Sequence, residues 1–429
     1  MPTNSSCGVV AVQNRPHWPL LAAMGALLSG CATMPAQQAA ERPLNGSPSR
    51  EAQSLDGAVT SLGTALLARA QLDSSEQRVL VVDPPVDLAT VRQAAVTRDV
   101  ERRIVGVIGN RFPHITPIPM GEAALERRPV VLLSCMTPVA ASGLMPSYTE
   151  GPAKVYRIWA SLSDTRTGKV VSSETAWVRA DDVDTTPTPF FQDSPVWMMD
   201  RSMQAYLKVC GGKTGDTMDQ TYLDGMRASI AANDATKAYE SERYPEALAA
   251  YTRASLLPGG DQIRVWNGVY LSNLALGRTQ AAEQAFGHMV DSGLEQGKLA
   301  VKFVFRPNSA QFWQDPFVNN QYPVWLRQIA RRSATRDTCL LLTGHSSPTG
   351  ETVVNEVLSK RRAQFVRRQL VERAPVLQVR TEARGRGSRD VLVGTGRDNA
   401  TDMLDRRVEF EPRPCGIRTA DQASSRTPA

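Results

Sequence analysis

Cys339-Leu-Leu-Leu-Thr343-Gly344-His345-Ser-Ser-Pro-Thr-Gly350, followed by Glu351 and the run from Thr352 to Arg373, is the stretch from which the rest of the chain can be read. Cys339 to Thr343 is a short apolar run bounded by turn residues, the pattern of a buried strand. Gly344 to Gly350 reads as a loop, and Thr352 to Arg373 as one long helix. Working outward, Val301-Lys-Phe-Val-Phe305 predicts a strand, Pro323 to Arg332 a helix, and Arg407 to Glu411 an alternating strand at a sheet edge. From Lys298 to Cys415 the order is therefore strand, helix, strand, helix, strand, helix, strand, with both element types in one unit.

Four motifs sit on that order: Phe305-Arg-Pro-Asn308-Ser309-Ala310, Gly344-His345-Ser-Ser-Pro-Thr-Gly350, Asn355-x-x-Leu358-Ser359-x-x-Arg362-Ala363 and Arg406-Arg407-Val408-Glu409. In type, order and spacing they resemble the OmpA-like peptidoglycan-binding domain. The resemblance implies a βαβαβ(α)β fold and a pocket for the free carboxylate and ammonium of the stem peptide's diamino acid. It places Arg362 on the carboxylate, where a planar guanidinium can give two parallel charge-assisted bonds worth about 1.5–3 kcal/mol. It makes Asn308 and Asn355 amide partners, and gives Arg406 and Arg407 a supporting role in the fold and pocket wall. One position departs from the family: Ser347 stands where an Asp would meet the ligand's ammonium. A hydroxyl accepts a hydrogen bond but carries no charge, so binding should be weaker or aimed at another ligand. Glu351, four residues on, is an acid that could substitute.

Upstream, Asp219 to Gly297 is helical and repeats itself. Tyr239-Glu-Ser-Glu-Arg-Tyr-Pro-Glu-Ala-Leu-Ala-Ala-Tyr251 aligns at an offset of 34 with Asn273 to Ala285, the tetratricopeptide (TPR) period, with Ala247 and Ala281 as small residues at the helix crossing. Two such repeats bury too little to stand alone and should lean on their neighbours. Either a protein-docking groove or a helical spacer fits this pattern.

The section before it alternates strand and helix. Val79–Val82 and Val130–Leu133 read as buried strands, Val91 to Phe112 as a helix, and Val155–Leu162 with Val170–Val178 as a hairpin joined by Asp164-Thr-Arg-Thr-Gly-Lys169. The segment Leu162 to Val171 resembles the strand-turn-strand of periplasmic α/β lipoprotein domains of the curli-secretion and flagellar-assembly type. An unrelated α/β domain with an ordinary hairpin fits equally well. Asp181, Asp182 and Asp184 read as a solvated surface.

At the N-terminus an apolar stretch, Leu20 to Leu28, is too short to span a bilayer and has the length of a signal peptide. Leu28-Ser29-Gly30-Cys31 resembles the lipobox of bacterial lipoproteins, which implies acylation of Cys31 as the first mature residue. Ala32 after that cysteine implies export to the outer membrane. Several acyl chains, at about 0.8 kcal/mol per buried methylene, make a stable anchor. The following stretch, rich in Ala, Gln, Pro and Ser, reads as a flexible tether. Cys135, Cys210, Cys339 and Cys415 remain in the mature chain, an even number suited to two disulfides in an oxidising compartment. Three pairings are open; Cys135–Cys210 and Cys339–Cys415 keep each bond inside one domain, each with about 4 kcal/mol of loop-closure entropy. No Cys-x-x-Cys occurs and His17, His114, His288 and His345 lie far apart, so no zinc site is expected.

The resulting fold class is α/β and α+β multidomain, as expected for 429 residues. Its parts are a lipoprotein signal peptide (1–30), a tether (31–54), an α/β periplasmic domain (55–215), a TPR-like unit (216–296), an OmpA-like domain (297–415) and a disordered tail (416–429). The net charge of +6 is a thin excess over such a length, and no nucleic-acid motif accompanies it. No paired carboxylates and no nucleophile with its base are found, so neither an enzyme nor a cofactor is expected. The partners expected are the peptidoglycan stem peptide, the outer membrane through the lipid, and an envelope protein through the TPR-like unit. The alternative is a subunit of a secretion or surface-appendage assembly whose OmpA-like domain binds the wall weakly or not at all.

Overall fold

The apolar run Val79 to Val82 lies in β1 (Arg78–Val82), a strand buried along its whole length, as befits parallel strands covered on both faces. The computed structural model describes residues 51–70, 72, 78–139, 155–306, 308–313, 320–392 and 404–415. The expected leader (1–30), Cys31, the tether up to residue 50 and the tail (416–429) lie outside the described residues.

Around β1 gather β2 (Val86–Asp87), β3 (Ile115–Ile118), β4 (Val130–Val139), β5 (Val155–Asp164) and β6 (Lys169–Arg179). The path runs β3-β1-β4-β5-β6, with β2 paired to β4; β3, β1 and β4 are parallel, and β4, β5 and β6 antiparallel. Period-two alternation divides the core. Leu80 and Val82 pack with α1 (Leu55–Arg69) and α2 (Ala95–Arg111), while Val79 and Val81 pack with α5 (Arg201–Cys210) and the start of α6 (Gln220–Glu240); the short helices α3 (Glu122–Glu126) and α4 (Pro189–Asp193) come between α2 and α5 in the chain. Helix α2 starts four residues later than its apolar spacing predicts. Val91 takes a left-handed φ of 49°, and the Thr97 hydroxyl, which accepts from Ala94 N and donates to Ala94 O, fixes the start of the helix. Asp181 and Asp182 form a one-turn 3-10 helix at the surface, where both pair with Arg179.

Four helices follow as two antiparallel hairpins: α6 with α7 (Tyr244–Leu256), then α8 (Ile263–Ala275) with α9 (Thr279–Glu295). Their turns match at an offset of 35 and not 34. Glu242 and Gly277 hold the left-handed turn position, and Arg243 N and Arg278 N bond back to Ala238 O and Asn273 O. The small residue equivalent to buried Ala247 is accordingly Ala282, and Ala281 is only half-buried. Gly268 lets α8 close on α7: a Cβ there would lie 2.3 Å from the Tyr251 ring.

The second sheet has the order β10-β9-β11-β8-β7. Its strands are β7 (Val196–Trp197), β8 (Leu299–Val301), β9 (Cys339–Gly344), β10 (Thr381–Gly385) and β11 (Val408–Arg413), backed by α10 (Tyr322–Ala334) and α11 (Thr352–Arg373). Two expectations are corrected. The first strand ends at Val301, where the backbone turns and Lys302 N bonds to Pro195 O; Phe305 makes only an isolated bridge to Phe312. The last strand, expected at an edge, is central, because β8 and then β7 add outside it. Strand β7 comes from the segment expected to belong wholly to the first domain. A single apolar cluster runs from Phe190 through Tyr251 and Phe286 to Trp325 and Phe410.

Cys135 and Cys210 are disulfide-bonded, joining β4 to the end of α5, and Cys339 with Cys415 joins the start of β9 to the residue two beyond β11.

Candidate functional site

At the end of β9 a Cβ on Gly344 would lie 2.1 Å from Ser359 O, so only glycine lets the strand press onto the backbone of α11. That contact orients the helix. Its inward face carries Asn355, Ser359, Arg362, Ala363, Val366 and Leu370. The first half of this face is polar, whereas Val353, Val354 and Val357 are 71%, 51% and 45% exposed. A helix that buries Asn, Ser and Arg and turns three valines to solvent reverses the usual sorting.

Arg362 is 3% exposed. Its Nε donates to Ser309 O at 3.1 Å and its guanidinium lies 5.0 Å from the centre of the Phe305 ring. These contacts tie α11 to the loop after β8. In that loop Asn308 is exposed and adopts a left-handed φ of 50°, which Asn tolerates better than most residues. Asn355 is buried and donates through Nδ2 to Thr349 O (3.1 Å) and Gly350 O (3.5 Å), fixing the loop after β9. Ser347 is buried in that same loop, whose backbone is pinned by Ser346 N to Gly387 O. Glu351 sits exposed at the N-cap of α11. The helix thus gathers two loops, one through Arg362 and one through Asn355.

Beside these loops lies a charged cluster that the sequence did not single out. His345 is 2% exposed, with Nδ1 3.7 Å from Asp390 and Nε2 3.5 Å from Glu409. Arg407 donates Nε to Glu409 (2.8 Å) and both Nη groups to Asp390 O, and Lys298 pairs with Glu409 at 3.0 Å. Burial, helped by the charge of Arg407, pushes the His345 imidazole below its ordinary range. Burial alone would raise Glu409, but His345, Arg407 and Lys298 outweigh it and hold that carboxyl well below the usual range. Glu409 was legible as part of the last motif; Asp390 had no local signal, because its role comes from the Gly385–Asp390 turn folding back on β11.

No family model matches this chain, and no curated protein does. Among solved structures it is similar to the peptidoglycan-associated lipoprotein from Burkholderia pseudomallei, at 24% identity over 28% of this chain and 92% of that one, with a TM-score of 0.22. An outer membrane protein from Borrelia burgdorferi B31 matches at 23% identity over 27% of this chain and 86% of that one, with a TM-score of 0.21. The cell wall anchor of the T6SS from Pseudomonas aeruginosa matches at 26% identity over 26% of this chain and 78% of that one, with a TM-score of 0.21.

Proposed function

We propose that this chain is an outer-membrane lipoprotein that holds peptidoglycan non-covalently through its OmpA-like region and docks envelope proteins through its middle. The observation that carries the wall-binding role is the reversed face of α11, which spends buried positions on Asn355 and Arg362 and leaves Val353, Val354 and Val357 outside. With Nε on the Ser309 carbonyl, a stem-peptide carboxylate would meet Arg362 at its Nη1/Nη2 edge, in exchange for whatever that edge holds. Cys31 would supply the lipid, and the helical hairpins the protein-docking surface.

A second reading, an assembly subunit with little wall affinity, is favoured by Ser347, a buried hydroxyl at the position where the ammonium needs a charge, and by Asn355, whose amide already serves its own loop. Co-sedimentation with purified sacculi separates the two. The first reading expects the wild type to pellet, Arg362→Ala to stay in solution, and Ser347→Asp to be retained more strongly. A wild type that stays in solution would leave the second reading standing, and equal pelleting of wild type and Arg362→Ala would count against Arg362 as the carboxylate's partner.

A further inference from the structure

Away from the wall pocket, the first sheet ends on one side at β6, and the middle of that edge is open. Gln53 N donates to Trp177 O and Arg179 N donates to Gln53 O, so the odd-numbered residues of this stretch turn their backbone groups away from β5. The far end of the strand is closed as well, by Val170 N on Asp216 O and Gly215 N on Val170 O. Between the two closures, the N–H and C=O groups of Ser173 and of Thr175 have no hydrogen-bond partner among the described residues. Unpaired edge groups of this kind are a template for a further strand.

Beside the open edge stands a cation without a counter-ion. On the face of the sheet turned away from α1 and α2, Arg157 of β5 lies across from Trp177, and Trp159 across from Thr175. The Arg157 guanidinium stands 3.5 Å from the centre of the Trp159 ring and 5.7 Å from that of Trp177. It makes no hydrogen bond and no ion pair among the described residues; its Nε is buried, whereas the Nη groups reach the surface. Burial lowers its pKa, and no acid opposes that shift. Neighbouring strands lie about 4.8 Å apart, so a strand added to β6 would run roughly 9.6 Å from β5, a gap that an arginine and a glutamate side chain close together. The chain's own lead-in suits this edge poorly. Gln53 pairs in parallel with Val178, and continuing that register would set Arg50 opposite Thr175, on the face that Arg157 occupies, where like charges repel.

We propose that the open stretch of β6 takes an added strand from a partner protein, an extended acidic segment that pairs with Ser173 and Thr175 and sets a glutamate against Arg157. The full chain, in mild detergent with disulfides intact, is titrated calorimetrically with three synthetic heptapeptides: one alternating valine with glutamate, one alternating valine with lysine, and the valine–glutamate peptide N-methylated at every amide. The first should bind saturably and the other two should not. Arg157→Met should weaken the first roughly tenfold. Thr175→Pro removes one outward N–H and leaves the pairing with β5 in place, so it should abolish binding. If that variant fails to fold, the N-methylated peptide on wild type tests the same backbone pairing. Absence of saturation by wild type up to about 1 mM peptide overturns the surface. Equal affinity for the glutamate and lysine peptides, or equal affinity of wild type and Arg157→Met for the first, overturns the acidic partner, and equal binding of the N-methylated peptide overturns strand addition. Saturation that appears only after residues 44–50 are replaced by a Gly-Ser run gives the edge to the chain's own lead-in and overturns the partner.

Discussion

Arg362 and His345 sit on neighbouring elements and make opposite demands of burial. Arg362 sets its guanidinium against a carbonyl and a ring face. Arg362→Lys keeps a charge but loses the fork and most of the ring contact, so wall retention in the sacculus assay should fall nearly as far as with Arg362→Ala. His345, by contrast, is held neutral. Its folded pKa is depressed below the unfolded value near 6.5, so below that pH the unfolded chain binds a proton that the folded chain refuses. The stability this group contributes is complete above about pH 6.5 and is lost as pH falls toward its folded pKa. Urea midpoints measured from pH 7.5 to 5 should therefore drop more steeply in wild type than in His345→Gln, and parallel curves would assign the acid sensitivity elsewhere. Arg362, Ser347 and Asn355 were visible in the sequence because they fall in short local motifs that resemble those of the OmpA-like domain. Asp390 was not visible: it meets His345 only because the turn after β10 folds back beside the end of β9.

At the scale of elements, β1, α2, β4, β5, β6 and the long helix were readable from periodicity; α1, β2 and β3 were not singled out, and neither was the two-residue strand β7. Two residues carry no period, and what makes them a strand is supplied from elsewhere. β8 pairs with one edge of β7. On the other, the Asn267 amide of α8 accepts from Val196 N and donates to Val196 O, so a single side chain ends the sheet. Asn267 is 3% exposed, so Asn267→Leu would leave a buried N–H and a buried C=O without partners. The expected cost is about 2–4 kcal/mol, read as a lowered urea midpoint at unchanged slope. A loss under about 0.5 kcal/mol would mean that the strand is held by β8 alone.

Across the whole molecule, three domains were expected between residues 55 and 415, yet the helical hairpins and the second sheet share one core that also takes in Phe190 to Met198, while the first sheet keeps clusters of its own. The helical hairpins meet the second sheet through a stack of Phe286 on Trp325, a Trp325 to Tyr270 hydrogen bond of 2.8 Å, and ion pairs from Arg327 and Arg336 to Glu283, Asp291 and Glu295. The apolar cluster from Phe190 to Phe410 passes through all of them. Sequence patterns register where a helix has an apolar face but not which neighbour covers it, so boundaries drawn at 215 and 296 cut across one buried surface. A shared core of this kind should melt as a unit. With disulfides intact, the fluorescence of a variant that keeps Trp325 as its single tryptophan and far-UV circular dichroism should report one coincident urea transition for the helices and the second sheet together. A fragment spanning 297–415 would expose the β8 edge that β7 covers, and the ring of Trp325 that Phe286 covers. It should unfold at lower urea than the same residues in the full chain, and an equal midpoint would show that the second sheet is self-sufficient and the shared core only a contact.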